Sequence, residues 1–426
     1  MQPSLFVEFI RRIFHSLSRI IETVNKERNG RLTYLHKEML RQEYSADQKW
    51  ESAAVDTTFV AADVVAMDSE LPLKKRGQLH AANGDLPKLG IKMRLGEKQI
   101  NNINIIRAVS SDYTQIERKL TNDTVKCVTG IDERNEAIFL QGLSEGITLV
   151  EDENNVGTGI RVDFKYLDKN KFGVVKRWRG VDFRPISDIK RVVEAAGGSI
   201  NVPVIVMSKK TYDLMRNSVE AKEYAARSIG MIVLKDTILP VPLPNVFDAA
   251  FSSETGCRIK LVDRIVKIEK DGKVKNIRPW NDDKVIFLPS EQVGALVYGT
   301  LAEETNPVNG VDYTKANPYV LVSKYSKNDP LQEFTSAQAI CLPIIENVDQ
   351  IFQLDITEAL KMDAGEIEGD ADITIFGATY VKADVIAALN DLGIAVGDGI
   401  SDETLIKKIN RLNAEQKALL QAALTP

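Results

Sequence analysis

Apolar positions between residues 5 and 24 recur at alternating steps of four and three. Phe6, Ile10, Ile13, Leu17, Ile20 and Val24 form one seam, with Glu8, Arg11, Arg12, Arg19 and Glu22 on the remaining sides, which predicts an amphipathic helix. The polar sides mix both charge signs, so the pattern suits a helix lying on a neighbouring surface better than one lying on a membrane. Asn29-Gly30 ends it, and a second helical stretch is expected through about Gln48. From 57 to 106 the pattern changes to short extended runs, Phe59–Met67, Leu89–Leu95 and Ile100–Ile106, broken at Leu71-Pro72, Asn83-Gly84 and Leu86-Pro87. This reads as a long hairpin with a polar tip. A two-stranded ribbon cannot build its own core, so it must lie against something else.

Thr114-Gln115-Ile116-Glu117 fits a capping box, and Ile116, Leu120, Cys127, Ile131 and Ile138 mark the inner side of a helix running to about Gly146, with Gly130 and Gly142 as possible breaks. An α/β stretch follows. Ser187 or Asp188 is expected to open a helix bearing Ile189, Val192, Val193 and Ala196. Val202–Met207 reads as a buried strand, Ser208 as the cap of a helix with Tyr212 and Met215 inward, and Pro240–Pro244 as an extended connector. Asp271-Gly272 predicts a hairpin turn between Ile259–Ile268 and Val274–Ile277, and Val285–Leu288 another buried strand. Residues 299–356 alternate strands and turns. The acidic run Asp363, Glu366, Glu368, Asp370, Asp372 reads as a linker to a small unit over 373–426, with a strand around Ile373–Tyr380 and then helices.

The chain has 426 residues, enough for two to four compact units, and a net charge of −5, which excludes a dedicated polycation. No apolar run is long enough to span a membrane, and charges interrupt the apolar start in a way a signal peptide does not tolerate. Cys127, Cys257 and Cys341 are too few and too scattered for a disulfide framework or a zinc site, which suits a reducing compartment. His15, His36 and His80 are the only histidines, so a histidine-based triad is not expected. Gly157-Thr158-Gly159 and Gly397-Asp398-Gly399 lack the third glycine of a dinucleotide fingerprint, and no P-loop or nucleophile elbow occurs. No enzyme activity, cofactor or metal is expected. Between 160 and 184, Arg161, Lys165, Lys169, Lys171, Lys176, Arg177, Arg179 and Arg184 interleave with Phe164, Tyr166, Phe172, Trp178 and Phe183. That is the pattern of a nucleic-acid stripe, and equally that of a sheet face with one wet side.

Several segments in order resemble a known family. Val162-Asp163-Phe164, Trp178, Pro185-Ile186-Ser187-Asp188-Ile189, Val204-Ile205-Val206-Met207, Lys284-Val285-Ile286-Phe287-Leu288-Pro289 with Gly294 and Tyr298-Gly299, Asp329-Pro330-Leu331-Gln332-Glu333 and Leu342-Pro343 are similar to the lambda-type major capsid protein E family of tailed phages, over roughly residues 30–356. The resemblance implies an α+β fold of the Hong Kong 97 type. Its parts would be an N-terminal arm (1–56), an extended loop (57–106), a peripheral domain with a long spine helix (107–184 and 300–356) and an axial domain (185–299). An acidic linker (357–372) and a small α-rich C-terminal unit (373–426) lie outside the shared core.

The implied function is a structural shell protein, assembling as pentamers and hexamers of an icosahedral head around double-stranded DNA. Its implied partners are copies of itself, portal and scaffolding proteins, decoration proteins and, weakly, the packaged DNA, and its location is the virion after assembly in the host cytoplasm. The expected contacts between subunits are Lys74, Lys75, Arg76, Lys88 and Arg94 of the extended loop, seeking acidic neighbours, and the Phe6/Ile10/Ile13/Leu17/Ile20/Val24 seam, which a monomer is expected to leave exposed. The alternatives are an encapsulin-like nanocompartment shell, a nucleic-acid-binding protein using 161–184, and an α/β enzyme built on 186–217.

Overall fold

The computed structural model describes residues 2–15, 17, 34–55, 79–109, 113–150, 159–196, 202–231, 239–270, 272–359, 372–375 and 378–381, with isolated positions from 385 to 420. The chain divides into two units, Met1–Leu360 and Lys361–Pro426. Among the described residues the first holds two large sheets and three two-stranded ones.

The first sheet runs in the order Leu40–Tyr44, Gly294–Gly299, Gln332–Ile345, Val320–Lys327, Asp312–Asn317, and Lys88–Leu95 also pairs with Gln332–Ile345. Every pairing is antiparallel except Leu40–Tyr44 with Gly294–Gly299. One face packs on helix Thr114–Glu145. This helix runs unbroken through Gly130 and Gly142 for 32 residues, a rod about 48 Å long. Gly146 ends it in the left-handed conformation, φ 74°, with its amide donating to the Gly142 carbonyl. Its N-cap is Tyr113, with no side-chain cap, rather than Thr114.

The second sheet runs Lys171–Val174, Phe352–Ala359, Lys284–Leu288, Val204–Ser208, Arg258–Val262. Val204–Ser208 is wholly buried, as its unbroken apolar run requires. It lies parallel to Arg258–Val262, and a parallel pair needs a crossover. Helices Lys209–Asn217, Val219–Ser228 and Pro244–Thr255 lie in that connection. Ser208 caps the first of them by accepting the Thr211 amide, with Tyr212 and Met215 buried, as the sequence predicts. Pro244 does not extend the preceding connector: it opens the third helix, where its missing amide costs nothing. Helix Pro185–Ala196 begins at Pro185, ahead of Ser187.

Each sheet draws strands across the expected domain boundaries. Lys171–Val174 and Phe352–Ala359 lie in the second sheet, and Gly294–Gly299 in the first. The hairpin Val266–Lys270/Lys273–Ile277 turns at Gly272 (φ 74°) and sets Val266 and Ile268 on Ala137 of the long helix.

Three local expectations fail. The second helical stretch is only Leu35–Met39, after which the chain becomes strand Leu40–Tyr44. Ile100–Ile106 is helical, within Glu97–Val109, because burying Ile100 and Ile103 on one side requires a period near three. Asn83-Gly84 is not a turn but part of strand Leu79–Asp85, which pairs with Lys49–Val55 as the two arms of a ribbon. The run Phe59–Met67 lies outside the described residues.

In the second unit, Asp372–Ile375 and Ala378–Val381 form a hairpin where one strand was expected. Val385, Leu389, Leu405, Ile409 and Leu420 are buried. Most of the acidic linker lies outside the described residues.

Candidate assembly surfaces

The N-terminal seam does not stay bare in the monomer, contrary to expectation. Phe6, Ile10 and Ile13, with Phe9, pack on Ile100, Ile103, Ile116 and Leu120 of the same chain, and Leu17 joins the main core. Helix Glu97–Val109, whose Ile100–Ile106 stretch reads as extended from the sequence, supplies the covering surface together with the start of the long helix. Ile20 and Val24 lie outside the described residues. Polar contacts lock the same arm. Gln2 and Ser326 exchange backbone hydrogen bonds at 3.1 and 2.9 Å. The buried Glu333 carboxylate accepts the Ser4 hydroxyl and, at 3.1 Å, the Leu5 amide. A carboxylate at a helix start satisfies donors that have no partner inside the helix.

Of the expected loop cations, Lys74, Lys75 and Arg76 lie outside the described residues. Lys88 and Arg94 sit on strand Lys88–Leu95 of the first sheet. Lys88 pairs with Glu303 of the same chain at 3.1 Å. Arg94 is exposed opposite Phe334, and the Lys92 ammonium lies 5.3 Å from the Phe334 ring centre.

The stretch 161–184 is not a stacking platform. Phe164, Tyr166 and Trp178 are buried and Phe172 and Phe183 half-buried, so its rings belong to the two cores while its cations face water. Three of those cations have acidic partners in the chain: Lys165 with Asp163, Lys171 with Asp168 and Arg179 with Asp283. Recognition by base stacking needs exposed rings, which this stretch does not offer.

A polar network inside the fold has no signature in the sequence. Asp132, Glu133 and Glu136 on the long helix face the segment from Tyr34 to Lys37. Glu136 accepts the Leu35 and His36 amides, both at 3.0 Å, and contacts His36 Nδ1 at 2.6 Å. Asp132 accepts from Lys37 at 2.6 Å and Tyr319 at 3.0 Å, and Glu133 from Tyr34 at 3.1 Å and Arg264 at 2.6 Å. Burial, with these carboxylates beside them, pushes the Tyr34 and Tyr319 phenols well above their ordinary value, so they stay neutral donors. The signal available in the sequence was the acidic run inside the otherwise apolar side of a helix.

Burial raises the Cys127 and Cys341 thiols to about 12, which removes their nucleophilic form at neutral pH. Among the described residues no three His, Cys, Asp or Glu side chains group as a metal site, and no helix is long and apolar enough to cross a membrane.

Two surface features stand out. Residues 175–184 project Val175 and Val181, 65% and 84% exposed, between cations. A cleft of about 650 Å³ opens between the edge strand Leu40–Tyr44 and the base of the ribbon, lined by Tyr44, Asp47, Trp50, Glu51, Asp85 and Val297 among others.

No protein-family model and no curated protein sequence matches the chain. Solved structures do. The proposed capsid protein of a prophage of E. coli CFT073 is 14% identical, with a TM-score of 0.47 over 75% of this chain and 92% of that one. A phage-related protein from Bordetella bronchiseptica RB50 is 12% identical, with a TM-score of 0.44 over 80% and 96%. The capsid protein of cyanophage A-1(L) is 12% identical, with a TM-score of 0.44 over 76% and 93%. At such low identities and TM-scores, the chain's own residues must carry any functional reading.

Proposed function

We propose that this chain is the major shell subunit of a tailed-phage head, many copies of which associate as pentamers and hexamers into an icosahedral shell around double-stranded DNA. The observation that carries this reading is the order of parts. An N-terminal helix, a two-stranded ribbon, a 32-residue helix beneath one sheet and a second sheet flanked by helices follow one another as the capsid-protein resemblance of the sequence implies. The surface supports it. Val109, Val181, Leu243 and Val175 are each more than half exposed, side chains that copies of one chain can cover. The work of such a protein is assembly, with portal, scaffolding and decoration proteins as further partners and the virion as its location.

Negative-stain microscopy of the expressed full chain tests the proposal. Closed shells, tubes or capsomer rings are expected at micromolar concentration. Particles that stay dispersed and monomeric over a hundredfold concentration range would overturn it.

A further inference from the structure

The segment from Val175 to Arg184 joins strand Lys171–Val174 to helix Pro185–Ala196 and is built around Trp178, which is fully buried. The Trp178 indole donates to Asp188 Oδ2 at 3.0 Å and its amide to the Ile356 carbonyl at 3.1 Å. Asp188, itself 2% exposed, also accepts the Val175 amide at 3.1 Å and the Arg191 guanidinium at 3.3 Å. A buried carboxylate with three donors holds the loop in one shape before any partner arrives.

What the loop shows to solvent is the opposite of its anchor. Val175 and Val181 stand bare beside Lys176, Arg177, Arg179 and Arg184, with Asp182 the only acid in the segment. Arg179 pairs with Asp283, while Lys176, Arg177 and Arg184 are exposed. Rigid, cationic and apolar at once, this protrusion fits an acidic concave partner with an apolar wall.

The same chain carries such a concavity. In the cleft at the base of the ribbon, the buried Trp50 with Tyr44 and Val297 supplies apolar wall, and Asp47, Glu51 and Asp85 supply charge. Arg41 already engages the other two acids, Glu43 and Glu346, and Lys49 is the only cation in the lining among the described residues. The cleft borders the first sheet and the loop belongs to the second. A contact between them is therefore head-to-tail: each copy offers one loop and one cleft, and repetition closes a ring when the rotation allows.

We propose that the Val175–Arg184 loop of one copy docks in the Trp50/Glu51/Asp85 cleft of a second copy. This rests on the self-association part of the shell reading and names the surfaces that carry it. Complementary charge and matching apolar walls on one chain favour a second copy over a foreign partner.

The test uses two full-length variants, R177E/R184E in the loop and E51R/D85R in the cleft, each checked for a wild-type circular dichroism spectrum and melting curve. Each has one intact half of the contact. In sedimentation velocity each alone should be monomeric where the wild type associates, and a one-to-one mixture should regain association, because the unaltered loop of one variant meets the unaltered cleft of the other and the reversed loop meets the reversed cleft. The chain carrying all four substitutions should regain self-association. If either double variant fails to fold, the neutral pairs R177Q/R184Q and E51Q/D85N replace it, with self-association expected to weaken at least tenfold. Variants that associate as the wild type does, or folded variants whose mixture stays monomeric, overturn the proposal. Microscopy of the same samples separates the two readings. Loop–cleft association without closed particles sinks the shell alone, and shells formed at wild-type yield by both variants sink the loop–cleft contact alone.

Discussion

His36 Nδ1 lies 2.6 Å from Glu136 Oε2, with both side chains out of contact with water, and the same carboxylate accepts the Leu35 and His36 amides. One side chain in the C-terminal half of the long helix thus satisfies three donors from the start of the Tyr34–Met39 segment. Removing it with Glu136→Ala leaves all three buried without an acceptor, and such losses cost about 3–5 kcal/mol. Glu136→Gln keeps the shape and one oxygen and should cost less. Urea unfolding monitored by far-UV circular dichroism should rank the midpoints wild type, Glu136→Gln, Glu136→Ala; an Ala variant as stable as the wild type would show that the network holds nothing together.

The two glycines inside the long helix should respond in opposite directions to alanine. A Cβ on Gly142 would sit 2.7 Å from both Phe164 Cε2 and Thr148 Oγ1, and both side chains are buried. Thr148 is further fixed by donating to the Ile138 carbonyl at 2.9 Å. Gly142→Ala should destabilise by about 1–3 kcal/mol through overpacking. A Cβ on Gly130 meets only the tip of the Ile91 side chain, at 3.0 Å, and Ile91 is itself exposed and able to move. Gly130→Ala should gain about 0.5–1 kcal/mol of helix propensity. Thermal melts of the two variants read the signs directly.

These glycines mark where the sequence could and could not be read. Both looked like possible breaks, because composition alone cannot show that Gly142 is small in order to admit Phe164. The long helix, the buried strands at 204 and 285, the Ser208 cap and the turn at Gly272 were legible because each is set by local pattern: period, cap and turn chemistry. Ile100–Ile106 was misread because a short apolar run fits a strand as well as a helix, and only packing against Phe6 and Ile10 decides between them. The same misreading left the N-terminal seam with no visible partner in its own chain. The carboxylate network on Asp132, Glu133 and Glu136 was out of reach, since its donors come from residues about a hundred or more positions away.

The arm's attachment predicts how it fails. Ile10→Ala removes a side chain 1% exposed within the Ile100/Ile103/Ile116 cluster and should cost about 2–5 kcal/mol. Ile13→Asp should likewise lower the unfolding midpoint rather than leave a fully stable subunit that only assembles poorly. Fluorescence-monitored guanidinium unfolding tests this; an unchanged midpoint for both variants would mean that the arm does not pack on its own chain in solution.

Residues 1–360 should fold without the second unit, but the stop must not fall earlier. Strand Phe352–Ala359 continues past Ile356: Ala359 pairs with Val174, and the Thr357 and Glu358 amides donate to Asp355 at 2.8 and 3.1 Å. Ending after Leu360 keeps these bonds, and ending after Ile356 removes them. Calorimetry should show the main transition of the full chain retained in 1–360 and shifted down in 1–356. Loss of the transition in 1–360 would make the second unit part of the fold.

Lys324 predicts a pH dependence that can be isolated by one substitution. Its side chain is fully buried beneath the first sheet, its ammonium donating to the Leu120 carbonyl at 3.3 Å. Burial lowers its pKa from 10.5 to about 8, with Glu333, Asp123 and Cys127 opposing the shift. Burial in turn holds the Glu333 carboxyl above its usual range, against the Ser4 and Leu5 hydrogen bonds and the Lys324 charge. Below pH 8 the folded chain must bury a charged ammonium, and the cost is fully present. Between about 8 and 10.5 the folded chain has lost a proton that the unfolded chain keeps, so this group's contribution to stability rises with pH and levels off above 10.5. Cys127 and Cys341, raised from 9 to about 12, act oppositely, since there the folded chain keeps the proton that the unfolded chain loses. The two effects overlap in the wild type, but the thiols are common to wild type and Lys324→Met. The difference in unfolding free energy between the two, measured by urea titration from pH 7 to 10, should therefore change steadily in favour of the wild type above pH 8. A difference that stays flat across that range would show that Lys324 is protonated or deprotonated equally in both states, and that its burial carries no electrostatic cost.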